Sequence, residues 1–334
     1  MAITLEEAKV GMSNKVDQQV IDEFRRSSLL LDNLIFDDSI SPGTGGSTLG
    51  YSYIQLLTPS KAGVRSINSE YTPGEAKRTE KSANAIIMGG SFQIDRVLIG
   101  TAGAVDELAF QTEEKIKATA NEFHNLVING TKASSGAGYV TNTFDGLKKL
   151  LSGSDTEVAS EVDLSTSDLT DANYNAFLDE LDDFLALLDG KPSMLLMNKK
   201  MLTKVKSCAR RAGYYSRAKD DFGRTVEYYN DIPLVDVGEY YNGTSTEDVI
   251  PVTAPSQTAF GTTDIYAVNI GLNGFHGISP TGSRVIESHM PDLNLPGAVK
   301  SGDVELVAGV VLKNSRKAGV LKGIKIKPKT AAAG

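Results

Sequence analysis

The run from Ser91 to Thr131 constrains the fold more than any other part of this chain. An alternating segment, SFQIDRVLIG, places Phe92, Ile94, Val97 and Ile99 where a strand would bury them, and a Thr-Ala-Gly turn follows. From Ala104 to Asn129 neither proline nor glycine interrupts the chain, and Gly130 stops it. Val105, Leu108, Ala109, Ile116, Ala120, Phe123 and Val127 recur at helical spacing, which predicts one long helix with a single apolar stripe. At ~1.5 Å per residue it would span roughly 39 Å. That length with so narrow a stripe suits a flat, extended subunit better than a compact enzyme core.

The 334 residues leave room for two ordinary domains, and 40% hydrophobic with 23% charged content is the balance of a soluble globular protein. No apolar run approaches the ~20 residues that cross a bilayer, so no membrane partner is expected. MAITLEEAKVGM carries acidic residues where a secretory signal would carry lysines and an apolar block, and the expectation is a protein that stays where it is made. The single cysteine, Cys208, excludes an intramolecular disulfide and a cysteine-based metal cluster; its helical apolar position in MLTKVKSCARRAG fits a packed core thiol. A net charge of −8 argues against bulk electrostatic capture of nucleic acid, though it leaves room for a local basic strip.

Asn14 to Leu31 reads as a helix with Val16, Val20, Ile21 and Phe24 on one side, followed by apolar, unperiodic NLIFDDSI and the hinge SPGTGGSTLG. Pattern alone fits equally an arm packing on another molecule and a helix folded on its own core. Tyr51–Leu57 reads as a strand, with Ala85–Val97 as its return. Between them lie about thirty polar residues of mixed charge, longer than ordinary connections inside compact domains. A two-stranded arm of this kind would need a neighbouring subunit to order it. Lys61, Arg65, Glu70, Glu75, Lys77, Arg78, Glu80 and Lys81 offer both signs for contact with another copy, against the plainer reading of a solvated loop.

Further along, SSGAG leads into FDGLKKLL, a short helix or turn, and SGSDTEVASEVDLSTSDLT reads as irregular. Asp171–Asp189 is a second strong helix, with Tyr174, Phe177, Leu178, Leu181, Phe184, Leu185 and Leu188 in register and Gly190 and Pro192 as stop signals. Ser193–Met197 is a short buried strand, and Asn198 is the expected N-cap of a third helix ending at Gly213. Strand signals recur at Thr225–Tyr229, Pro233–Val237, Asp264–Ile270, Gly274–Ser279, Val285–Ser288, Val304–Leu312 and Val320–Ile326. This order, helix-rich and then strand-rich, predicts an α+β fold.

The chemistry-bearing residues assemble into nothing catalytic. His124, His276 and His289 have no second ligand at metal spacing and read as structural. GTGGSTLG and GLNGFHG lack the lysine and hydroxyl of a phosphate loop. Glu180, Asp182 and Asp183 fall on the polar face of their helix, where a solvated surface is expected. Asn129-Gly130-Thr131 and Asn242-Gly243-Thr244 read as turns that use the tolerance of Asn-Gly for positive φ. Arg210, Arg211, Tyr214, Tyr215, Arg217 and Arg224 interleave cations with aromatics, a superficial single-strand stacking pattern that Asp220 and Asp221 weaken; a subunit-contact loop is the preferred reading. The C-terminal KNSRKAGVLKGIKIKPKT is basic, with lysines alternating against Val320, Leu321, Ile324 and Ile326 as in a strand with one wet face.

SFQIDRVLIG with the long helix ending in FHNLVINGT, then FDGL, PSMLLMNKKMLTKVK, IPLVDVG and VVLKNSRKAGVLKGI follow an arm and a polar hairpin. In that order they resemble the major capsid proteins of tailed bacteriophages, with the Hong Kong 97-like fold. Order and spacing over nearly the whole chain carry the resemblance; the individual motifs are short. It implies an N-terminal arm at 1–50, an extended loop and its base at 51–97, and a peripheral domain with the spine helix at 98–143. An axial domain at 144–275 follows, then the returning peripheral strands at 276–318, with the last axial strand and tail at 319–334. Tyr214–Arg224 falls where an axial loop is expected.

The implied function is self-assembly through pentamers and hexamers into an icosahedral shell around double-stranded DNA, without enzymatic activity, cofactor or metal. The implied partners are other copies of the chain, a portal, a decoration protein, DNA held non-specifically, and a separate scaffold, because the arm begins almost at Met1. The implied location is the virion, assembled in the host cytoplasm. Some family members crosslink a loop lysine to an asparagine; Lys61, Lys77, Lys81 and Asn314 are available, but no local signature selects a pair and no crosslink is expected. Two alternatives stand beside this: a nanocompartment shell of the encapsulin kind around a cargo enzyme, and a compact enzyme with a dispersed site.

Overall fold

The computed structural model describes residues 29–38, 40, 49–100, 107–132, 143–166, 171–213, 215–219, 225–280 and 286–330. The readings of residues 14–28, of the 41–48 hinge, of Ala104, Val105 and SSGAG, and of Tyr214 and Arg224 lie outside the described residues. The described chain starts with α1 (Leu29–Asn33) and β1 (Phe36–Asp37), then a hairpin of β2 (Gly50–Thr58) and β3 (Lys77–Asn84). Next come β4 (Ile86–Asp95), α2 (Arg96–Gly100), the long α3 (Glu107–Asn129), α4 (Leu147–Leu150) and β5 (Glu157–Ala159). The middle holds α5 (Asp171–Ala186), β6 (Met194–Met197), α6 (Lys199–Ala212), β7 (Tyr215–Lys219), β8 (Thr225–Tyr229) and β9 (Ile232–Asp236). β10 (Glu239–Tyr241), β11 (Thr246–Asp248), β12 (Gly261–Val268), β13 (Phe275–Ile278), β14 (Ile286–His289), β15 (Val299–Leu312) and β16 (Ala318–Lys327) complete it.

The α+β expectation holds, in two large sheets and two separate two-stranded hairpins, β2–β3 and β10–β11. The first is built on β15, whose fourteen residues pair with β4 along one edge and with β14 and β13 in turn, β1 adding in parallel to β13. The 23-residue α3, about 35 Å long, lies across this sheet. Its buried positions are Thr112, Thr119, Phe123, His124, Val127 and Ile128. The stripe is therefore more polar than expected: Leu108 and Ile116 are half-buried and Ala109 is exposed. Thr112 and Thr119 can be buried because each hydroxyl donates to the carbonyl one turn earlier, on Leu108 and Lys115, at 2.8 Å.

The second sheet runs β5-β16-β12-β6-β9-β8-β7, with α5 and α6 on one face. Met194, Leu195, Leu196 and Met197 are all buried, as a central strand covered on both sides requires. Leu195 and Met197 point to the α5–α6 side, whereas Met194 and Leu196 join Phe123, Val127, Leu306 and Val310 in a core that unites the two sheets. Asn198 caps α6 as expected, its side chain accepting from the Met201 N–H at 2.8 Å, and Gly213 closes the helix at φ 79°. Cys208 is fully buried in this layer.

Several expectations need correction. The strand over SFQIDRVLIG stops at Asp95, because the Asp95 carboxylate accepts the Val97 N–H at 2.9 Å and turns the chain into α2; Val97 and Ile99 are helical. The partner of β2 is Lys77–Asn84, not Ala85–Val97, whose strand is committed to β15. Asn129-Gly130 is not a positive-φ turn. Gly130 is required by space, since a Cβ there would lie 2.4 Å from the Leu126 carbonyl oxygen and 2.6 Å from that of Phe144. Asn242-Gly243 does turn as expected, with Gly243 at φ 93° and the Asn242 carboxamide accepting from Thr244 and Ser245. The acidic face of α5 is not merely solvated: Glu180 accepts from Ser160 at 2.6 Å and from the Glu161 N–H, and Asp182 from Tyr229 at 2.8 Å. SGSDTEVASEVDLSTSDLT is not wholly irregular, for β5 adds in parallel to β16.

Candidate assembly surfaces

Among the described residues, the β2–β3 hairpin is held to the body at its base alone. Inward-facing Tyr51 donates to Asp37 at 3.1 Å, Tyr53 to the Leu312 carbonyl at 3.1 Å and Gln55 to the Lys313 carbonyl at 3.0 Å. Beyond these, the strands pair only with each other as far as Thr58 opposite Lys77. The eight charged residues expected to make subunit contacts, Lys61, Arg65, Glu70, Glu75, Lys77, Arg78, Glu80 and Lys81, are all exposed on this arm. What the sequence reading missed is their apolar company: Ile54, Leu56, Leu57 and Tyr71 are 60–68% exposed, Ile67 91% and Val64 102%. Apolar groups grouped on a projecting two-stranded arm mark a surface meant to be covered.

The second expected contact region separates into pieces. Arg210 and Arg211 belong to the last turn of α6 rather than to a loop, where cations complement the helix C-terminus. Arg211 lies over the Tyr174 ring at 4.1 Å, and Arg217 on β7 is 3.5 Å from Glu227, which also holds Lys206 at 2.6 Å. These cations are engaged within the chain. Tyr215 pairs with Tyr229 across the β7–β8 ladder, and β7 is the outermost strand of its sheet. The C-terminal basic strip is likewise partly neutralised: Lys322 pairs with Glu157, holding that carboxyl below its usual range, while Lys325 and Lys329 lie over Phe260.

A third surface had no sequence signal. Met290, Leu293 and Leu295 between β14 and β15, Val299 at the start of β15 and Val97 of α2 are all exposed. The Arg96 N–H donates to the Ala298 carbonyl at 2.9 Å, and buried Lys300 reaches the Leu295 carbonyl, so this apolar loop is fixed in place.

Nothing in the described residues draws a catalytic or metal-binding constellation together, and no group of three potential metal ligands is present among them. His124 and His276 are fully buried, and neither ring nitrogen of His124 has a hydrogen-bond partner among the described residues. Burial pushes His124 down to about 4 and also lowers His276, beside Lys313. His276 meets the Tyr51 ring edge-on at 5.9 Å, beneath the hairpin base. Burial pushes the Cys208 thiol up to about 11, the opposite of an activated nucleophile.

A family model described as SU10 major capsid protein matches residues 70–235, about half of the chain, running from the hairpin tip through α3 to β9. Among solved structures, the capsid of Myoviridae phage XM1 has a TM-score of 0.59 at 14% identity, covering 92% of this chain and 96% of its own. The chain is a tailed-phage major capsid protein with the Hong Kong 97-like fold. Mycobacterium phage Bobi gives a TM-score of 0.58 at 12% identity over 97% of this chain and 99% of its own. The holo-SrpI encapsulin complex from Synechococcus elongatus PCC 7942 gives 0.63 at 13% identity and covers both chains completely. At such identities the structural likenesses establish the fold of this capsid protein and no more. No curated protein matches it.

Proposed function

We propose that this capsid protein assembles with copies of itself, through pentamers and hexamers, into an icosahedral shell that encloses double-stranded phage DNA. The observation that carries the proposal is the β2–β3 hairpin, whose exposed Ile54, Leu56, Val64 and Ile67 have no cover within the described chain. Closed symmetric assembly supplies that cover in every copy at once. In this reading the hairpin is the extended loop, and Ala85 separates it from a peripheral domain built of the first sheet and α3. The second sheet with α5 and α6 forms the axial domain, and residues 1–50 the arm. The apolar Met290–Val299 loop and the β7–β8 edge, with Arg210, Arg211 and Arg217 nearby, make further contacts. A portal, a separate scaffold and a decoration protein complete the particle, the chain's place is the virion, and its role is structural rather than catalytic.

Thr58 lies opposite Lys77, so replacing Pro59–Ala76 by Asn-Gly should close a tight hairpin without disturbing the body. The expected result is a folded subunit by circular dichroism that yields no shells by size-exclusion chromatography and electron microscopy. Normal shells from this variant would sink the arm reading.

The full-length likeness to the encapsulin complex favours one second reading, a nanocompartment shell with a protein cargo. Particle contents decide: nuclease-protected DNA supports the first, a co-purifying enzyme the second.

A further inference from the structure

Asn-Gly occurs three times, at Asn129-Gly130, Asn242-Gly243 and Asn273-Gly274. The pair is chemically labile wherever the glycine nitrogen, which no side chain shields, can close on the asparagine carboxamide carbon. The fold treats the three differently. Gly130 and Gly274 are buried, and each N–H is committed to a carbonyl, that of Leu126 and that of Gly271, both at 2.8 Å. Asn129 is also held, its amide donating to the Val249 carbonyl at 2.7 Å.

At the β10–β11 turn the situation is reversed. Asn242 and Gly243 are both exposed, and the Gly243 N–H has no hydrogen-bond partner among the described residues. The Asn242 carboxamide is gripped at both ends. Its oxygen accepts from the Thr244 N–H at 2.9 Å and the Ser245 N–H at 2.8 Å. Its nitrogen donates to the Glu247 carboxylate at 2.6 Å and to the Ser245 hydroxyl at 3.2 Å. Two N–H donors on a carbonyl oxygen stabilise the negative charge it takes up when its carbon is attacked. The carboxylate beside the nitrogen favours the positive charge that nitrogen gains as it leaves.

We propose that Asn242 is a self-modification site, where the Gly243 nitrogen closes on the side chain and the residue passes through a succinimide to aspartate and isoaspartate. The Gly243 N–H gives its proton to a solvent base, and its electron pair forms the new bond to the Asn242 carboxamide carbon. The bond from that carbon to Nδ2 breaks, and the nitrogen takes a proton from water and departs as ammonia. Water then adds to either imide carbonyl and reopens the ring. Nothing is oxidised or reduced, and water is the only co-reactant.

The product changes the turn. A carboxylate at position 242 faces Glu247 where the amide nitrogen had been its donor, in a hairpin that already carries Glu239 and Asp248. Like charges set so close repel. Isoaspartate also adds a backbone atom to a turn whose flanking register ends at Tyr241 opposite Thr246. Because β10 packs on α3, conversion loosens the cover over the long helix, irreversibly and on a clock started by folding.

Purified full-length subunit held at pH 8, beside the same protein in urea, tests this by peptide mass spectrometry, with isoaspartate scored by enzymatic methylation. In urea all three asparagines should convert at similar rates. In native protein Asn242 should convert at least as fast as in urea, while Asn129 and Asn273, which must wait for local opening, should lag by at least about tenfold. Native Asn242 lagging with them would overturn the proposal, because the turn would then guard the amide rather than expose it. Asn242→Asp supplies the product in advance. It should speed amide hydrogen exchange across residues 239–248 several-fold, and Glu247→Gln in the same chain should reverse the gain. Exchange equal to the parent's would overturn the loosening.

Discussion

Acidification should destabilise the subunit through His124, and replacing that one residue should remove a defined part of the effect. His124 sits on the buried side of α3 with no hydrogen bond at either ring nitrogen, next to Phe123 and at a distance from Asp32 that only partly offsets its burial. Folded, it accepts a proton only near pH 4; unfolded, it does so near 6.5. Between those values the unfolded chain binds more protons than the folded one, so stability falls as pH falls through this window and is constant for this group above it. The gap between 6.5 and about 4 corresponds to about 3 kcal/mol at ~1.4 kcal/mol per pH unit. His124→Leu, of similar bulk, removes the titration and both unpaired nitrogens. It should be no less stable than the parent at pH 7, because a buried unpaired polar group costs about 1–3 kcal/mol. The assay is urea unfolding of unassembled subunit from pH 7.5 to 4, followed by far-ultraviolet circular dichroism, since the chain has no tryptophan. Carboxylates titrate in the same window in both proteins, so the informative quantity is the difference between the two curves. Parallel curves for parent and His124→Leu would refute the reasoning.

Two further substitutions probe the second sheet. Asn198 caps α6 and also donates to the Ile250 carbonyl at 3.0 Å and to Thr263 at 2.6 Å; Asn198→Ala should therefore cost roughly 2–3 kcal/mol in urea unfolding, more than a cap alone. A loss under about 1 kcal/mol would show that the three bonds do not act together. The Cys208 thiol, fully buried and pushed up to about 11, should resist a maleimide at pH 7.5 in native protein and react at once in urea. Native labelling at the rate of a free thiol would contradict its burial.

The long helix, the α5 helix, which ends at Ala186 rather than at Asp189, the α6 helix with its Gly213 stop, and the buried strand Met194–Met197 were legible because their signals are local. Each puts apolar residues on one face, or all round, at the period its backbone imposes. The Asn198 cap was legible for the same reason, since donor and acceptor are three residues apart. The return strand Lys77–Asn84 was not. It is exposed or half-buried throughout, so its residues carry no alternation, and it holds its place by pairing with β2. The strand at Asp95 was overextended because Val97 and Ile99 continue the apolar alternation, and only the carboxylate's capping bond shows the turn.

Among the assembly surfaces, charge on the hairpin was visible in sequence but the exposure of Ile54, Leu56, Val64 and Ile67 was not. Apolar residues in a strand are expected to face a core, and only the course of the chain shows that this arm has left it. The pairing of β4 is still less local, because β15 claims one of its edges from about two hundred residues away. By itself the sequence determined the three main helices of the described chain, the cap and stop of α6 and which residues prefer to be buried, because backbone periodicity and capping act over a few residues. Which strands pair and which apolar residues remain uncovered among the described residues were decided by tertiary structure, because those depend on contacts between segments that no local period encodes.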